Sequence, residues 1–226
     1  MGKKGWMALP AIVLAFLMAA GCGQIQGRMT DHAGEQEEIL LWLNPYTDVA
    51  RSAWYYDAVK FVTQAELMNG TTTTRFAPEQ ATDRAMIVTI LWRQAGSPSV
   101  GGEASFSDVD LSAWYGSAVR WAAANKIVTG YGDGTFGPED TITREQMAAI
   151  LYRYAQYKGN PTDGEYSLDG YTDVHQISAY ALPAFQWVCG CGIMEGLTTD
   201  TLDPAESATR AQVAAILMRF CDMYGL

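Results

Sequence analysis

The sequence predicts an all-α protein made of three copies of one helix-loop-helix unit. Two observations lead to this: a series of landmark residues recurs at fixed intervals, and the apolar residues within each copy follow helical spacing. In every copy, a glycine follows an alanine at an interval of twelve residues, and Phe or Leu follows the glycine after six. An arginine comes eight residues after the Phe or Leu, and a second arginine nine residues after the first. The landmarks are Ala58, Gly70, Phe76, Arg84 and Arg93; Ala118, Gly130, Phe136, Arg144 and Arg153; and Ala184, Gly196, Leu202, Arg210 and Arg219.

Each copy opens with an aromatic residue, a hydroxyl residue, aspartate and valine. The three repeats occupy residues 46–95, 106–157 and 171–222, and we call them repeats 1, 2 and 3. Between them lie segments 96–102 and 159–164, whose glycine and proline content is typical of linkers.

The first half of each repeat is predicted to be a helix followed by a glycine-rich loop. In repeat 2, apolar residues from Ala113 to Ala122 recur at helical spacing, and we expect this helix to end near Gly130. Segment 130–138 contains four glycines, which favour turns with positive backbone angles.

A second helix is predicted from Thr143 to about Tyr157. Its apolar face consists of Met147, Ile150, Leu151 and Tyr154. Because an isolated pair of helices cannot bury such faces, the three repeats must pack on one another.

The start of this second helix carries a capping signature. Thr143 pairs with Gln146, and Thr209 with Gln212, in the spacing of a capping box. In repeat 1, Asp83 can cap the helix, but the methionine three residues later cannot complete the box.

The N-terminal segment has the character of an export signal followed by a tether. Residues 1–21 combine two lysines, an apolar run and small residues, which is typical of a secretory signal peptide. Residues 22–45 form a polar leader. The small residues before Cys22 resemble the lipobox of bacterial lipoproteins, although Ala19 stands where that motif usually has leucine. The resemblance implies a lipid on Cys22 that holds the protein at a membrane, and the alternative is ordinary signal cleavage nearby.

The charge of the chain argues against nucleic acid as a partner. Without residues 1–21, which contain two lysines and no acid, 13 basic and 25 acidic side chains remain, so the net charge is 13 − 25 = −12. Any anionic ligand must therefore be held by a local cluster of cations.

No metal or cofactor site is predicted. Cys189, Cys191 and Cys221 are too sparse for a zinc site, and the two histidines lack ligand spacing. We interpret the cysteines as small buried residues, with a disulfide at Cys221 as the alternative.

The first residue of each second helix is an arginine, namely Arg84, Arg144 and Arg210. A cation is disfavoured at this end of the helix dipole, at about 0.3 to 1 kcal/mol where exposed. One interpretation is an anion receptor, in which the guanidinium and the free helix N–H groups act together. The other is a salt bridge to a nearby acid. Candidate acids are Glu79, Glu139, Glu206 and the aspartate of the opening motif.

The aromatic residues before the first helix also allow two interpretations. Trp54, Trp114 and Tyr180 could belong to the core, which is the usual place for such side chains. Alternatively, they could stack on sugar rings beside the recurrent aspartate and arginine. The joint recurrence of these residue types would suit an acidic carbohydrate.

These residues resemble the S-layer homology family of bacterial cell-surface proteins. The resemblance rests on Phe106-Ser-Asp-Val, the helix after Trp114, the loop of segment 130–138, and Thr143-Arg-Glu, which is similar to the family's Thr-Arg-Ala-Glu signature. It implies a pseudo-threefold helical assembly whose inter-repeat grooves bind anionic secondary cell-wall polysaccharide, often through a pyruvylated amino sugar.

The resemblance also implies which residues contact the ligand. Carried over by position, they are Asp48, Trp54, Gly70 and Arg84; Asp108, Trp114, Gly130 and Arg144; and Asp173, Tyr180, Gly196 and Arg210. Repeat 2 is closest to the family pattern, so we expect the grooves to which it contributes to function. We expect the third repeat to be structural.

Three functions compete at this point. The sequence favours a non-catalytic module that anchors the protein to the cell wall, at the bacterial cell surface. A scaffold that binds another surface protein is the alternative. An enzyme is the weakest interpretation, because no nucleophile elbow, metal-ligand cluster or phosphate-binding loop is present.

Overall fold

The computed structural model describes residues 42–102, 106–164 and 166–225. Within these ranges the regular structure is helical, and the only β pairing consists of isolated bridges. This confirms the all-α prediction. The helices are α1 (Tyr56–Gln64), α2 (Arg84–Gln94), α3 (Gly116–Ala124), α4 (Arg144–Tyr157), α5 (Leu182–Gly190) and α6 (Arg210–Tyr224), with a 3₁₀ turn at Val174–Gln176. The predicted signal peptide and Cys22 lie outside the described residues.

The first helix of each repeat is shorter than the sequence predicts. In repeat 2, α3 ends at Ala124, whereas we expected an end near Gly130. Lys126 has a positive φ of 58°, which turns the chain back on itself. The amides of Ile127 and Val128 then both donate to the carbonyl of Ala122. This turn, which periodicity does not reveal, ends the helix early.

The second helices agree with the prediction in extent and, in two repeats, in capping. Capping boxes are present at the start of α4, between Thr143 and Gln146, and at the start of α6, between Thr209 and Gln212. The predicted cap of α2 by Asp83 is wrong, because the side chain of this residue makes no capping hydrogen bond. The predicted apolar face of α4 is buried.

Helices pack in pairs that join different repeats. The second helix of one repeat lies against the first helix of the next: α2 packs on α3, α4 on α5, and α6 on α1. Because the last pair returns from repeat 3 to repeat 1, the arrangement closes into a ring. The apolar faces that one repeat cannot bury alone are therefore buried between repeats.

A small ring of backbone hydrogen bonds lies where the three second helices begin. Thr82 N donates to Ala208 O (3.0 Å), Ala208 N to Ile142 O (2.9 Å), and Ile142 N to Thr82 O (2.8 Å). Each repeat thus donates one hydrogen bond of the ring and accepts another. The side chains of all three residues are buried. The pseudo-threefold relation of the repeats is visible in this ring.

Aromatic side chains fill the space between the helices of repeats 2 and 3. Trp121 of α3 meets Tyr154 of α4 edge-on with ring centroids 6.3 Å apart, and Phe220 of α6 lies 6.0 Å from Tyr154 and 6.4 Å from Trp187 of α5. Such contacts add about 0.5 to 1.5 kcal/mol each beyond the burial of area.

The cysteines of repeat 3 are free thiols in the structure. Cys221 is buried and receives a hydrogen bond from the side-chain amide of Gln94 at 3.2 Å. Cys189 and Cys191 are partly buried near the end of α5. The disulfide considered for Cys221 is therefore not present in the described part of the chain.

We predict that no repeat folds alone. In a fragment of residues 106–157, α3 and α4 would lose their partners α2 and α5, and the ring of backbone hydrogen bonds would be open. We expect a fragment with little helix by circular dichroism and no sharp thermal transition. A fragment of residues 42–226 should melt in one cooperative step. A monomeric, sharply melting single repeat would contradict this interdependence.

Candidate functional site

The N-termini of the second helices are bonded to the following repeat. The first two amides of α2, from Arg84 and Ala85, donate to Asp140 O (2.9 Å) and Pro138 O (3.1 Å) of repeat 2. The amides of α4 donate in the same way to repeat 3, and those of α6 to repeat 1. The expectation that these N–H groups are free to receive an anion is therefore wrong for the first two positions of each helix.

The arginine side chains at these positions are buried and hold neighbouring repeats together. Arg84, Arg144 and Arg210 are only 2 to 4% exposed. Each Nε donates to a loop carbonyl of the next repeat at 2.7 to 2.8 Å. The acceptors are Phe136, Leu202 and Phe76 respectively. These carbonyls offset the unfavourable helix dipole. The alternative of a salt bridge is also wrong, because none of the three arginines forms an ion pair with an acid among the described residues. Burial lowers the pKa of each arginine, but a guanidinium in a protein stays charged.

The outer nitrogens of the three guanidinium groups have different surroundings. Arg144 Nη2 donates to the carbonyl of Glu195 (2.6 Å), and Arg210 Nη2 donates to that of Asn69. Arg84 instead lies over the ring of Tyr131, 4.6 Å from its centroid. Among the described residues, no acceptor is bonded to the outer nitrogens of Arg84.

Two equivalent grooves lie at the junctions between repeats. Groove 1 has a volume of about 410 Å³ and is lined by Arg84 of repeat 1, by Gly130, Gln146 and Arg153 of repeat 2, and by Tyr180 of repeat 3. It therefore combines residues from all three repeats. The loop residues Thr129 and Tyr131 complete its wall.

Groove 2 repeats this arrangement one step around the ring. It has a volume of about 360 Å³ and is lined by Arg144, Gly196, Gln212, Arg219 and Trp54. Each residue occupies the position of its counterpart in groove 1. Glu195 and Leu197 stand where groove 1 has a threonine and a tyrosine.

The structure groups the predicted site residues in other combinations than the sequence analysis did. The proposed sets took an aspartate, an aromatic residue, a glycine and an arginine from one repeat, whereas each groove collects its arginine, glycine and aromatic residue from three. By the repeat spacing, Arg210, Gly70 and Trp114 are the corresponding residues at the junction of repeats 3 and 1, which we call groove 3. Arg210 bonds to the carbonyls of Phe76 and Asn69 there.

The recurrent aromatic residues are exposed, so the interpretation as core is wrong. Trp54, Trp114 and Tyr180 are 66, 58 and 50% exposed and precede their helices. Tyr180 donates to Glu145 Oε1 (3.0 Å), and burial together with this carboxylate raises the pKa of its hydroxyl. Exposed aromatic faces at the edges of grooves are suited to stacking on a flat apolar ligand surface.

The three opening aspartates hold the loops that follow the first helices. Asp108 accepts from the amides of Phe136 (2.8 Å) and Gly137 (2.7 Å), and Asp48 and Asp173 accept equivalent bonds in their own repeats. These aspartates do not line groove 1 or groove 2. Burial opposes ionisation of Asp48, but the two amides lower its pKa below 3.8. Its contribution to stability is present above pH 3.8 and is lost as the pH falls through the folded value.

Glycine is required at Gly70, Gly130 and Gly196 by close approach of the surrounding chain. A Cβ at Gly130 would collide with the carbonyl of Thr135 and the ring of Phe106. The equivalent collisions occur at the other two glycines. These residues therefore allow the loop to fold against the opening aromatic ring and so shape the groove wall.

Sequence reasoning missed the second recurrent arginine as a groove residue. Arg153 lies in groove 1 and Arg219 in groove 2. Arg144 and Arg153 belong to the same helix, but Arg144 faces groove 2. Nine residues correspond to two and a half helical turns, which places Arg144 and Arg153 on opposite faces of α4. Their constant spacing in all three copies was the available signal. Gln146 and Gln212, which the sequence indicates only as capping residues, also line grooves 1 and 2.

No site for a metal ion is apparent in the described part of the chain. Within it, no group of three or more histidine, cysteine, aspartate or glutamate residues is placed to hold one. The grooves present arginine, amide and aromatic side chains, which suit hydrogen bonding and stacking with a polar, partly anionic ligand.

The sequence matches the S-layer homology domain over residues 45–85, 105–148 and 170–214. Together these matches cover more than half of the chain. The chain belongs to the S-layer homology family. These domains are non-catalytic modules that anchor proteins to the cell wall, and the chain carries three of them.

Curated relatives are similar through this module. The chain is 31% identical to an endoglucanase of Bacillus sp. (strain KSM-635) over 76% of its own length and 18% of the relative. It is 28% identical to a cellulosome-anchoring protein of Acetivibrio thermocellus, over 64% of its length and 33% of the relative. It is 25% identical to the surface-layer 125 kDa protein of Lysinibacillus sphaericus, over 78% of its length and 15% of the relative. The chain thus spans no more than a third of these proteins.

None of the described helices is both long and apolar enough to cross a membrane.

We predict that Asp108→Ala destabilises the protein by about 1 to 3 kcal/mol, because two loop amides lose their acceptor. Thermal unfolding followed by calorimetry measures this. Asp169→Ala is the control, because this exposed carboxylate accepts no hydrogen bond from the described residues. Equal melting temperatures for the two variants would show that the loop does not depend on Asp108.

Proposed function

We propose that the inter-repeat grooves of this protein bind an anionic secondary cell-wall polysaccharide, through a sugar such as a pyruvylated amino sugar. The observation that carries the proposal is the recurrence, in grooves 1 and 2, of one charged arginine at the floor, a second at the side and an exposed aromatic residue at the rim. An acidic sugar has the matching features: a carboxylate, hydroxyl groups and an apolar ring face.

The electrostatics of the whole chain make this local arrangement important. The chain is strongly acidic, with a net charge of −10 for the full sequence, and would repel an anionic polymer at long range. Binding therefore depends on short-range, charge-assisted hydrogen bonds in the grooves. The names of the cellulosome-anchoring and surface-layer relatives agree with a role in attachment.

The ligand-contacting residues that we propose are Arg84, Gly130 and Tyr180 in groove 1 and Arg144, Gly196 and Trp54 in groove 2. To these we add Arg153 and Arg219, because they line the same grooves. Gly70, Trp114 and Arg210 would serve groove 3. For Asp48, Asp108 and Asp173 we propose an indirect role, because their carboxylates hold the loops that form the groove walls.

We predict that Arg153→Gln weakens binding to wall sacculi that carry their secondary polymer. Arg153 is partly exposed at the groove side, so its loss should leave the fold intact and reduce affinity about tenfold. Co-sedimentation with the sacculi measures this effect. Lys158→Gln, which removes an exposed cation outside the grooves, is the matched control.

Sacculi stripped of the secondary polymer with hydrofluoric acid should bind neither the wild type nor the variants. Equal binding to stripped and untreated sacculi would contradict the proposal. Retention only by sacculi that still carry surface proteins would favour the alternative, a scaffold for another protein.

We also propose that residues 1–21 are a signal peptide and that Cys22 carries a lipid. The leader of 23 residues between Cys22 and Tyr46 spans at most about 80 Å when fully extended. The lipid would therefore keep the grooves within the wall layer nearest the membrane.

If Cys22 is diacylated, the protein should remain in the membrane fraction after the wall is digested, because each buried methylene contributes about 0.8 kcal/mol of membrane affinity. Cys22→Ser should release the protein or block its processing. Fractionation with immunoblotting and mass spectrometry of the N-terminal peptide measure both results. Release of the wild type with the digested wall, together with an unmodified N-terminus, would exclude the lipid.

A further inference from the structure

The loop walls of grooves 1 and 2 differ in charge at one exposed position, where residue 129 is threonine and residue 195 is glutamate. Both side chains are exposed. The floor arginine, the capping glutamine and the side arginine are the same in the two grooves. Position 129/195 is therefore the place where the two loop walls differ in charge.

In groove 2, Glu195 engages both arginines. Its carboxylate Oε2 lies 3.1 Å from Arg219 Nη2, and its backbone carbonyl accepts from Arg144 Nη2 at 2.6 Å. An anionic ligand entering groove 2 would meet the Glu195 carboxylate beside Arg219. It would also find Arg144 already hydrogen-bonded to the Glu195 carbonyl. Such an arrangement disfavours an anion and favours an uncharged ligand.

In groove 1 the corresponding cations are available. Among the described residues, Arg153 has no ion-pair partner, and the outer nitrogens of Arg84 have no bonded acceptor. Within the described part of the chain, the nearby acids form no ion pair with these arginines: Glu145 accepts from the amide and hydroxyl of Ser178 and from Tyr180, and Asp140 accepts from Tyr131. Two guanidinium groups with open donors thus face the same groove.

We infer that groove 1 is the subsite for the anionic sugar and that Glu195 directs groove 2 to uncharged sugar units of the same polymer. This inference rests on the proposed function and assigns different ligand chemistry to its two grooves. The side chain at position 129/195 sets the specificity. Threonine leaves both arginines of groove 1 without an ion pair, whereas glutamate forms an ion pair with one of the two arginines of groove 2, Arg219.

The test uses an N-acetylated amino sugar carrying a pyruvate ketal, compared with its methyl ester. Titration is followed by NMR, through the Nε–H signals of Arg84, Arg153 and Arg219 and the indole N–H signal of Trp54. In the wild type, the free acid should shift the signals of groove 1 and leave those of groove 2 unchanged. The methyl ester should bind groove 1 at least tenfold more weakly than the acid.

Exchanging the two side chains should exchange the preference. Thr129→Glu should weaken binding of the acid in groove 1 tenfold or more, whereas Thr129→Gln, which adds size without charge, should retain binding. Glu195→Thr should allow the acid to shift the signals of Arg219 and Trp54. Because both positions are exposed, these variants should melt at the wild-type temperature.

Equal responses of Arg153 and Arg219 in the wild type would overturn the inference while leaving the proposed function in place. So would equal affinity for the acid and its ester, or an unchanged affinity in Thr129→Glu. Absence of binding by both probes, together with no binding to polymer-bearing sacculi, would overturn the proposed function and this inference with it.

Discussion

The three repeats depend on the exchange of hydrogen bonds at the start of each second helix. Segment 81–83 and its two counterparts bond to one another in a closed ring, and the first helix amides bond to carbonyls of the next repeat. A helix N-terminus must find acceptors for these amides, and here only a neighbouring repeat supplies them. The same exchange therefore satisfies the backbone, closes the ring and brings residues from three repeats to each junction.

The recurrent arginine has a structural role that its contacts show, and we propose ligand binding as its second role. Its Nε binds a loop carbonyl across the junction, which fixes the loop against the helix, while its outer nitrogens lie at the floor of a groove. A residue at this position cannot be judged as either structural or ligand-binding alone. Removing Arg144 would leave buried carbonyls without a donor, so its loss would reduce stability as well as any binding. Arg153 lies at the side of the groove, so its replacement tests ligand binding separately from stability.

At the groove walls, the pseudo-threefold symmetry is broken by exposed side chains. Tyr180 replaces the tryptophan found at the other two rims, and Glu195 replaces a threonine or asparagine of the loop wall. These positions tolerate change because they contribute little to the core. Differences in ligand chemistry between grooves can therefore arise without cost to the fold. Repeat 3 contributes Tyr180 to groove 1 and Gly196 to groove 2, so under the proposed function it would take part in binding, contrary to the expectation that it is only structural.

The sequence by itself determined the repeat number, the helical class, the second helices with their capping boxes, and the glycine-rich loops, because these depend on local spacing and backbone preference. Only the tertiary structure decided that the opening aspartates bind loop amides, that the helix N–H groups are occupied, and that Arg84, Gly130 and Tyr180 meet in one groove. These features arise from contacts between repeats, and residues that share a repeat in the sequence need not share a site once second helices pack on the following repeat.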